Sequence, residues 1–387
     1  MIRTKGVDAA VLRKICIVAE HYPTEEEPLF PFVQQLAYSL TREGIECHII
    51  APQSVTRNLV HHKKKKPTYS VEFTPEKLPI YVHRPLYFTI SNLNNKRLQK
   101  LVERTMGEVI WKVIDKISAV DAIYCYFWHV ALTVANSNKY HRIPLFVQAS
   151  ECNLTVSPYM ITEVNLKKIS GVVCASRKNQ IESVEANLTK EEDTCVIVNG
   201  YRTDEFYPQD QKKARAMMGY DPNAFIIAFV GGFIERKGIR ELCEAVERIG
   251  DVQSIFIGTG ALPPSCRNIL FQGSVSHNQI VHYLNCADIF VLPTKAEGCC
   301  NAIIEALACG LPVVSSNKSF NDEILNDDCS IRLDETNVNE ITTAINLLRN
   351  NPKLRNAMSK AALDKAATLT IEHRSKSIIR YINERIC

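Results

Sequence analysis

The sequence predicts an α/β protein made of two doubly wound parallel sheets. Short apolar runs of strand length alternate with segments whose apolar residues recur at helical spacing. That alternation begins afresh after residue 220, and 387 residues at about 150 per domain suggest two domains, each able to bury its own core. Strands separated by helices pair in parallel with both faces covered.

In chain order, Lys14-Ile-Cys-Ile-Val-Ala19 reads as a buried strand. Phe32, Val33, Leu36 and Leu40 then repeat at helical spacing and stop at Gly44, a left-handed helix cap. A strand at Cys47 to Ala51 follows, and a long helix from Asn94 to Ile117 with Leu98, Leu101, Val102, Met106, Val109 and Val113 on its apolar face. Strands are expected at Ala122–Tyr126, Leu145–Ala149, Gly171–Ala175 and Thr194–Val198. The polar stretch Asn199 to Tyr220, with Pro208 and a run of charges, reads as a linker. Beyond it, Phe225-Ile-Ile-Ala-Phe-Val230 opens the second half, with a helix at Ile239 to Ile249 and strands at Ser254–Gly258, Asp288–Leu292 and Pro312–Ser315. The expected division is residues 1–200, residues 201–368 and a terminal segment 369–387. Ligands of such folds bind at the carboxyl ends of the strands.

Composition narrows the classes of function. The 46 basic and 42 acidic residues leave a net charge of +4, too balanced for a protein that coats nucleic acid. Fourteen cysteines are dispersed with no C-x-x-C spacing, many among apolar neighbours, where a free thiol behaves as a small hydrophobe; this predicts a reducing, cytoplasmic setting. The longest nearly apolar run, Ala224 to Ile234, is interrupted by Gly231 and Gly232 and falls short of the roughly 20 residues of a bilayer span. One basic run, His61-His-Lys-Lys-Lys-Lys66, reads as a solvated loop; the sharper alternative is peripheral contact of Lys63–Lys66 with the anionic inner face of a membrane.

The chemistry concentrates in Asp288 to Val314. A helix beginning near Asn301 carries Ala302, Ile303, Ile304, Glu305, Ala306, Leu307 and Ala308, apolar except for one carboxylate, and a helix without a polar face is buried. A buried Glu305 needs hydrogen-bond donors, which a ribose diol or a neighbouring side chain supplies. Gly298 permits close backbone approach, and the N–H groups at Cys299, Cys300 and Asn301 form a helix N-terminus suited to phosphate. Phe229-Val-Gly-Gly-Phe-Ile-Glu-Arg-Lys-Gly-Ile239 places Arg236 and Lys237 at the start of another helix, where their charge opposes the dipole and calls for an anionic partner. Ile257-Gly-Thr-Gly260 follows a strand and fits under a base or ribose.

Glu297 and Glu305 form an E-x7-E pair inside E-G-C-C-N-A-I-I-E-A-L-A-C-G-L-P-V-V, preceded by V-G-G-F-I-E-R-K-G and by Val196-Ile-Val-Asn-Gly-Tyr-Arg-Thr-Asp-Glu-Phe-Tyr-Pro208. With these motifs the chain resembles the retaining glycosyltransferases of family 4, whose GT-B fold is two Rossmann-like domains facing a cleft. The resemblance implies that Lys237, assisted by Arg236, binds the donor diphosphate; that Glu297 with the Gly298–Asn301 backbone holds the donor sugar and phosphate; that Glu305 accepts from the ribose hydroxyls; and that Gly231, Gly232, Gly258 and Gly260 line the nucleotide. It also implies that Thr370 to Asn383 crosses back to the N-terminal domain. Departures from the family pattern are Gly232, where the family usually has Arg; His21-Tyr-Pro-Thr-Glu-Glu-Glu-Pro28 in place of a glycine pair; Tyr126 at a position commonly His, with His129 three residues on; and Ser150-Glu151 in place of His-Gly.

The expected function is therefore transfer of a hexosyl group from a UDP- or GDP-sugar to a glycan or lipid-linked acceptor in cell-surface polysaccharide synthesis. Same-face transfer needs no dedicated base; Glu151 and His129 are the candidates to assist. No D-x-D and no zinc spacing occurs, so metal-independent transfer without a cofactor is expected. The alternatives are a non-catalytic glycosyltransferase-like subunit that scaffolds a partner enzyme, and a dehydrogenase, which is disfavoured because no strand leads into G-x-G-x-x-G.

Overall fold

The computed structural model describes residues 11–24, 27, 29–56, 65–89, 96–137 and 142–386. The chain divides into two compact units. One comprises Met1–Ala175, Asn179–Ile197 and Ser375–Cys387; the other comprises Ser176–Lys178 and Val198–Arg374.

In the first unit, β1 (Lys14–Val18), β2 (Glu46–Ile50), β4 (Tyr69–Phe73), β5 (Pro79–His83), β7 (Ala122–Tyr126), β8 (Leu145–Ala149), β9 (Ile169–Cys174) and β10 (Thr194–Val196) form one sheet in the order β10-β9-β8-β7-β1-β2-β5-β4. All neighbours are parallel except β4 and β5. A two-stranded ribbon, β3 (Gln53–Ser54) and β6 (Leu86–Tyr87), lies apart. The central strands read as continuous apolar runs because both faces are covered. Period-two alternation then sorts each strand between two cores. Ile15, Ile17, Cys47, Ile49, Tyr124 and Tyr126 join Leu36 and Leu40 of the helix Pro31–Arg42, together with Ile378, Tyr381 and Ile382 near the C-terminus. Cys16, Val18, Ile50, Ile123, Cys125 and Val147 face Ile110, Trp111 and Trp128 on the other side.

The long helix spans Lys96–Ile114, and the expected first residues Asn94 and Asn95 lie outside the described set. Its buried face differs from the expected one: Leu101 is exposed, while Met106, Ile110, Trp111 and Ile114 are buried. The reason is a close backbone approach, since a Cβ on Gly107 would meet the Thr133 carbonyl at 2.7 Å. That contact fixes which side of the helix faces Trp128–Ala135, and Trp111 Nε1 donates to Val134 O across it (3.0 Å).

The second unit is an all-parallel sheet of β11 (Ile226–Val230), β12 (Gln253–Ile257), β13 (Ile269–Gly273), β14 (Ile289–Leu292), β15 (Val313–Ser316) and β16 (Ser330–Leu333), ordered β13-β12-β11-β14-β15-β16. The helices Val338–Asn350 and Pro352–Ala366 complete its core. Its entry and exit segments pair with each other: Tyr201 N–H donates to Leu369 O (3.1 Å) and Ile371 N–H to Tyr201 O (2.9 Å). The last helix, Ile371–Ile386, begins here, and from Ser375 onward it belongs to the first unit.

The stretch read as a linker is built into the second unit instead. It contains the helix Gln211–Met218, capped at its start by the Asp210 side chain and ended by Gly219 in the left-handed region. From that helix, Arg215, only 2% exposed, donates to Cys286 O, Pro222 O and Ala224 O (2.9 Å each) and to Asp288 Oδ2 (2.8 Å). The charge run of the sequence thus hides one buried ion pair among solvated neighbours. Truncating Arg215 leaves the buried Asp288 with the Ile226 N–H (2.8 Å) and the more distant Arg355 Nε (3.8 Å), and leaves three carbonyls without their donor. Arg215→Ala should destabilise the fold by about 3–5 kcal/mol, visible as a lowered urea midpoint, whereas Lys212→Ala on the same helix should leave the midpoint within about 0.5 kcal/mol of wild type.

Candidate functional site

The loop after β11 and the loop after β14 are laced together. The first tightens into a single turn, Glu235–Lys237, and closes on Gly238, whose φ of 70° is left-handed. A Cβ there would come within 2.4 Å of Pro293 O, so glycine lets the following helix, Ile239–Ile249, start against the end of β14. Lys295 N–H donates to Arg236 O (2.8 Å). This backbone bridge delivers the Arg236 and Lys237 side chains to one carboxylate. Glu297, 8% exposed, is paired with Lys237 Nζ through Oε1 and with Arg236 Nη1 through Oε2 (3.2 Å), and it accepts from Thr294 Oγ1 at 2.7 Å. Arg236 also donates to Ala296 O. Two cations on one carboxylate leave a net positive charge, which attracts an anion.

The glycines beside this cluster serve close backbone packing. Gly258, with φ 151°, has its missing Cβ direction filled by Gly231 O at 1.9 Å, and for Gly260 the obstacle is Phe233 O at 2.3 Å. Lys237's aliphatic stem runs alongside Gly231. Gly232 carries no side chain to add a third cation. Gly258→Ala should therefore cost about 3 kcal/mol or more, since both φ and the Gly231 carbonyl oppose it. Gly219→Ala, whose Cβ meets nothing within 4 Å, should cost about 1 kcal/mol. Denaturant midpoints of the two variants make the comparison.

Glu305 sits in the helix Asn301–Ala308, buried (7% exposed) as the apolar pattern requires. Its partner was not legible in the sequence. His277 Nε2 lies 3.0 Å from Glu305 Oε1, while His277 Nδ1 faces Glu205 Oε2 at 3.4 Å and the ring packs edge-on against Phe206 (5.2 Å). Burial alone would lower the imidazole pKa, but hydrogen bonds and charge from Glu205 and Glu305 outweigh it and push it up to about 10. His277 is therefore an imidazolium at neutral pH, and it fixes one oxygen of Glu305. The only local signal was the capping box of Ser276 and Gln279, which marks a turn at His277. The start of the Glu305 helix has no side-chain cap, and Asn301 Oδ1 accepts from Asn199 Nδ2 (2.8 Å). Cys299 and Cys300 precede it with thiols pushed up by burial to about 11 and about 12.

The second unit thus brings together Arg236, Lys237, Glu297 and Thr294 in one cluster and Glu205, His277 and Glu305 in another. The remaining expected residues belong to the first unit. There, Glu151 Oε1 accepts from Trp128 N–H (2.6 Å) and Oε2 from Ser150 N–H (2.8 Å). It satisfies the N-terminus of Trp128–Ala135, where a negative charge is favoured; burial nonetheless holds its pKa above the usual carboxylate range, against those hydrogen bonds. His129 Nε2 pairs with Glu20 Oε1 (2.9 Å), and although burial opposes its charge, Glu20, Glu151 and Glu103 raise its pKa. Of the basic run, Lys63 and Lys64 lie outside the described residues, and Lys66 Nζ is committed to Glu27 Oε2 (2.8 Å). Among the described residues, no helix is long and apolar enough to cross a membrane.

Residues 210–365 match the family model described as glycosyl transferases group 1. TuaC of Bacillus subtilis, a glycosyltransferase assigned to teichuronic acid biosynthesis, is 24% identical over 332 residues, covering 79% of this chain and 81% of TuaC. Sucrose-phosphate synthase from Thermosynechococcus elongatus superposes with a TM-score of 0.73 at 17% identity, over 95% of this chain and 97% of that one. HepE of Anabaena, solved with UDP-glucose, superposes with a TM-score of 0.65 at 17% identity, over 95% and 98%. The fold is GT-B, two Rossmann-like domains. Together the matches support a glycosyltransferase.

Proposed function

We propose that this chain is a retaining hexosyltransferase of family 4 that moves a sugar from a UDP- or GDP-sugar to a glycan or lipid-linked glycan of a cell-surface polysaccharide, at the cytoplasmic side of the membrane. The observation that carries the reading is the Arg236–Lys237–Glu297 cluster with its excess positive charge, eight residues ahead of the buried Glu305. In this reading residues 201–368 bind the donor, residues 1–200 the acceptor, and 369–387 return to the first domain. Lys237 and Arg236 hold the diphosphate, supported by the uncapped helix start at Cys299–Asn301. Glu305 keeps an oxygen for the ribose hydroxyls, and Gly231, Gly232, Gly258, Gly260 and Gly298 allow the nucleotide close to the backbone.

Under same-face transfer the departing phosphate oxygen takes the acceptor proton, and the protein's contribution is to position the reactants and stabilise the charge that develops on the diphosphate. On the acceptor side we assign assistance to His129 rather than Glu151, because both Glu151 oxygens already accept backbone hydrogen bonds. No cofactor and no chelated metal enters this scheme; the lack of any D-x-D supports it. Calorimetric titration of UDP- and GDP-sugars into wild type, Lys237→Ala and Glu305→Ala tests the reading: both variants should bind the preferred donor more weakly, and unchanged affinity in both overturns the site. A thermal-shift screen over nucleotide sugars identifies that donor, since a ligand of the folded state raises its stability.

A second reading, a non-catalytic scaffolding subunit, draws on Gly232 and on the engagement of Glu151. Slow hydrolysis of a nucleotide sugar by the isolated chain excludes it.

A further inference from the structure

One edge of the first unit's sheet is left open. β4 ends the strand order there, and among the described residues no strand pairs with its outer side. Its side chains alternate. Tyr69, Val71 and Phe73 are 52%, 39% and 59% exposed, whereas Ser70 and Glu72 turn to the buried Arg84, which donates to Ser70 Oγ (3.0 Å) and reaches Glu72 Oε1 (3.5 Å). The exposed face continues into rings of the neighbouring strands, with Tyr69 against His83 (5.1 Å) and His48 against Tyr81 (4.7 Å).

The backbone follows the same parity. Arg84 N–H donates to Thr68 O (2.7 Å) and Thr74 N–H donates to Leu78 O (2.9 Å), so the even-numbered residues of β4 bond to β5. The N–H and C=O groups of Tyr69, Val71 and Phe73 therefore point away from β5, along the open edge. None of the three carries a charge, although proteins commonly blunt such edges with lysine, proline or an inward-pointing charge. Pro67 and Pro75 lie four residues either side of Val71 and, lacking N–H groups, end the edge on both sides.

This edge is complementary to itself. A two-fold axis through Val71 sets Val71 opposite Val71 and Tyr69 opposite Phe73 of a second copy, so every outward N–H and C=O of the three residues gains a partner. Moving the axis by one residue puts Tyr69 or Phe73 opposite a proline. The same register places Ser70 opposite Glu72, brings Lys66 toward the other copy's Glu76, and juxtaposes no like charges between residues 66 and 76. We propose that β4 is the interface of a homodimer in which two copies pair antiparallel through Tyr69–Phe73 and join their sheets into one. The dimer does not depend on the function proposed above.

Sedimentation velocity of the full chain tests it. Wild type should be a monomer at about 1 μM and largely a dimer at about 100 μM, as suits an interface smaller than about 1,200 Å². Val71→Pro keeps an apolar side chain but removes the outward N–H from both copies, and edge strands accept proline where that group faces outward. Its thermal midpoint at about 1 μM should match wild type, while association weakens about tenfold or more, the scale of two lost hydrogen bonds. Val71→Lys sets like charges on the axis and should weaken association as well. Disulfide trapping reads the register. Opposite residues of a hydrogen-bonded pair have Cα atoms about 5.5 Å apart, within disulfide reach. Oxidised Val71→Cys should therefore give a covalent dimer linked at position 71 by peptide mass spectrometry, whereas in Tyr69→Cys the two introduced thiols lie four residues out of register and should stay unlinked. A chain that remains monomeric at about 100 μM overturns the proposal and leaves the edge to a foreign strand. A dimer that persists in Val71→Pro and is not linked in Val71→Cys also overturns it, because the contact then lies elsewhere.

Discussion

Lys237→Ala should lower kcat by about 10²–10³-fold, the scale of losing one preorganised group that stabilises a developing anion. It should also destabilise the fold, because Lys237 and Glu297 are both nearly buried, with side-chain exposures of 12% and 10%. Breaking a buried pair from one side costs about 3–5 kcal/mol, softened here by Arg236, which retains its 3.2 Å contact with the carboxylate. A fall in activity alone would then be ambiguous between lost chemistry and lost folding. The double variant Lys237→Met/Glu297→Gln separates them. It removes the stranded charge, so its urea midpoint should recover most of the loss, while kcat stays at the level of the single variant. Initial rates and denaturant midpoints on all three proteins decide the matter. Recovery of both quantities together would make the pair a structural brace and remove Lys237 from the proposed diphosphate site.

The same cluster shows where sequence reasoning works and where it stops. Continuous apolar runs located β1, β2, β7, β8 and β11, and an almost wholly apolar segment located the Glu305 helix, because a strand or helix buried on both sides leaves a continuous apolar record. β4, with alternating exposed residues at the sheet edge, and the helices Val338–Asn350 and Pro352–Ala366 leave a weaker record, and none of them was expected. The Lys96–Ile114 helix was legible, but its orientation was not, since a single close approach at Gly107 selects the buried side. Likewise the E-x7-E spacing announced Glu305, yet its imidazolium partner lies 28 residues upstream and is supplied by topology: β13 and β14 are far apart in the sheet order, and only the folded chain brings the loop after one beside the helix after the other. A carboxylate's need for partners is written in its surroundings, whereas the identity of a long-range partner is not.

That partner carries the second large expectation, a loss of stability as pH rises from near neutrality into the alkaline range. His277 has a folded pKa of about 10 against an ordinary value of 6.5. A group whose pKa is raised on folding contributes fully below its unfolded value and loses that contribution as pH climbs toward the folded one. Wild type should therefore weaken between about pH 6.5 and pH 10 relative to His277→Gln, which has no proton to lose there. The side chain is 35% exposed, so solvent screening reduces the effect to about 1–2 kcal/mol. Tyrosines, thiols and lysines also titrate near the upper limit, and the difference between the two proteins cancels them. Glu205→Gln sharpens the experiment. It removes the carboxylate 3.4 Å from Nδ1 but leaves Glu305 at 3.0 Å from Nε2, so the transition should persist and shift to lower pH. Thermal melts of the three proteins at half-unit intervals from pH 6 to 10 follow it. Parallel curves for wild type and His277→Gln would mean that the histidine enters the fold uncharged. Glu305 would then be held by a neutral ring, and the carboxylate proposed to bind ribose would lose the cation that fixes it.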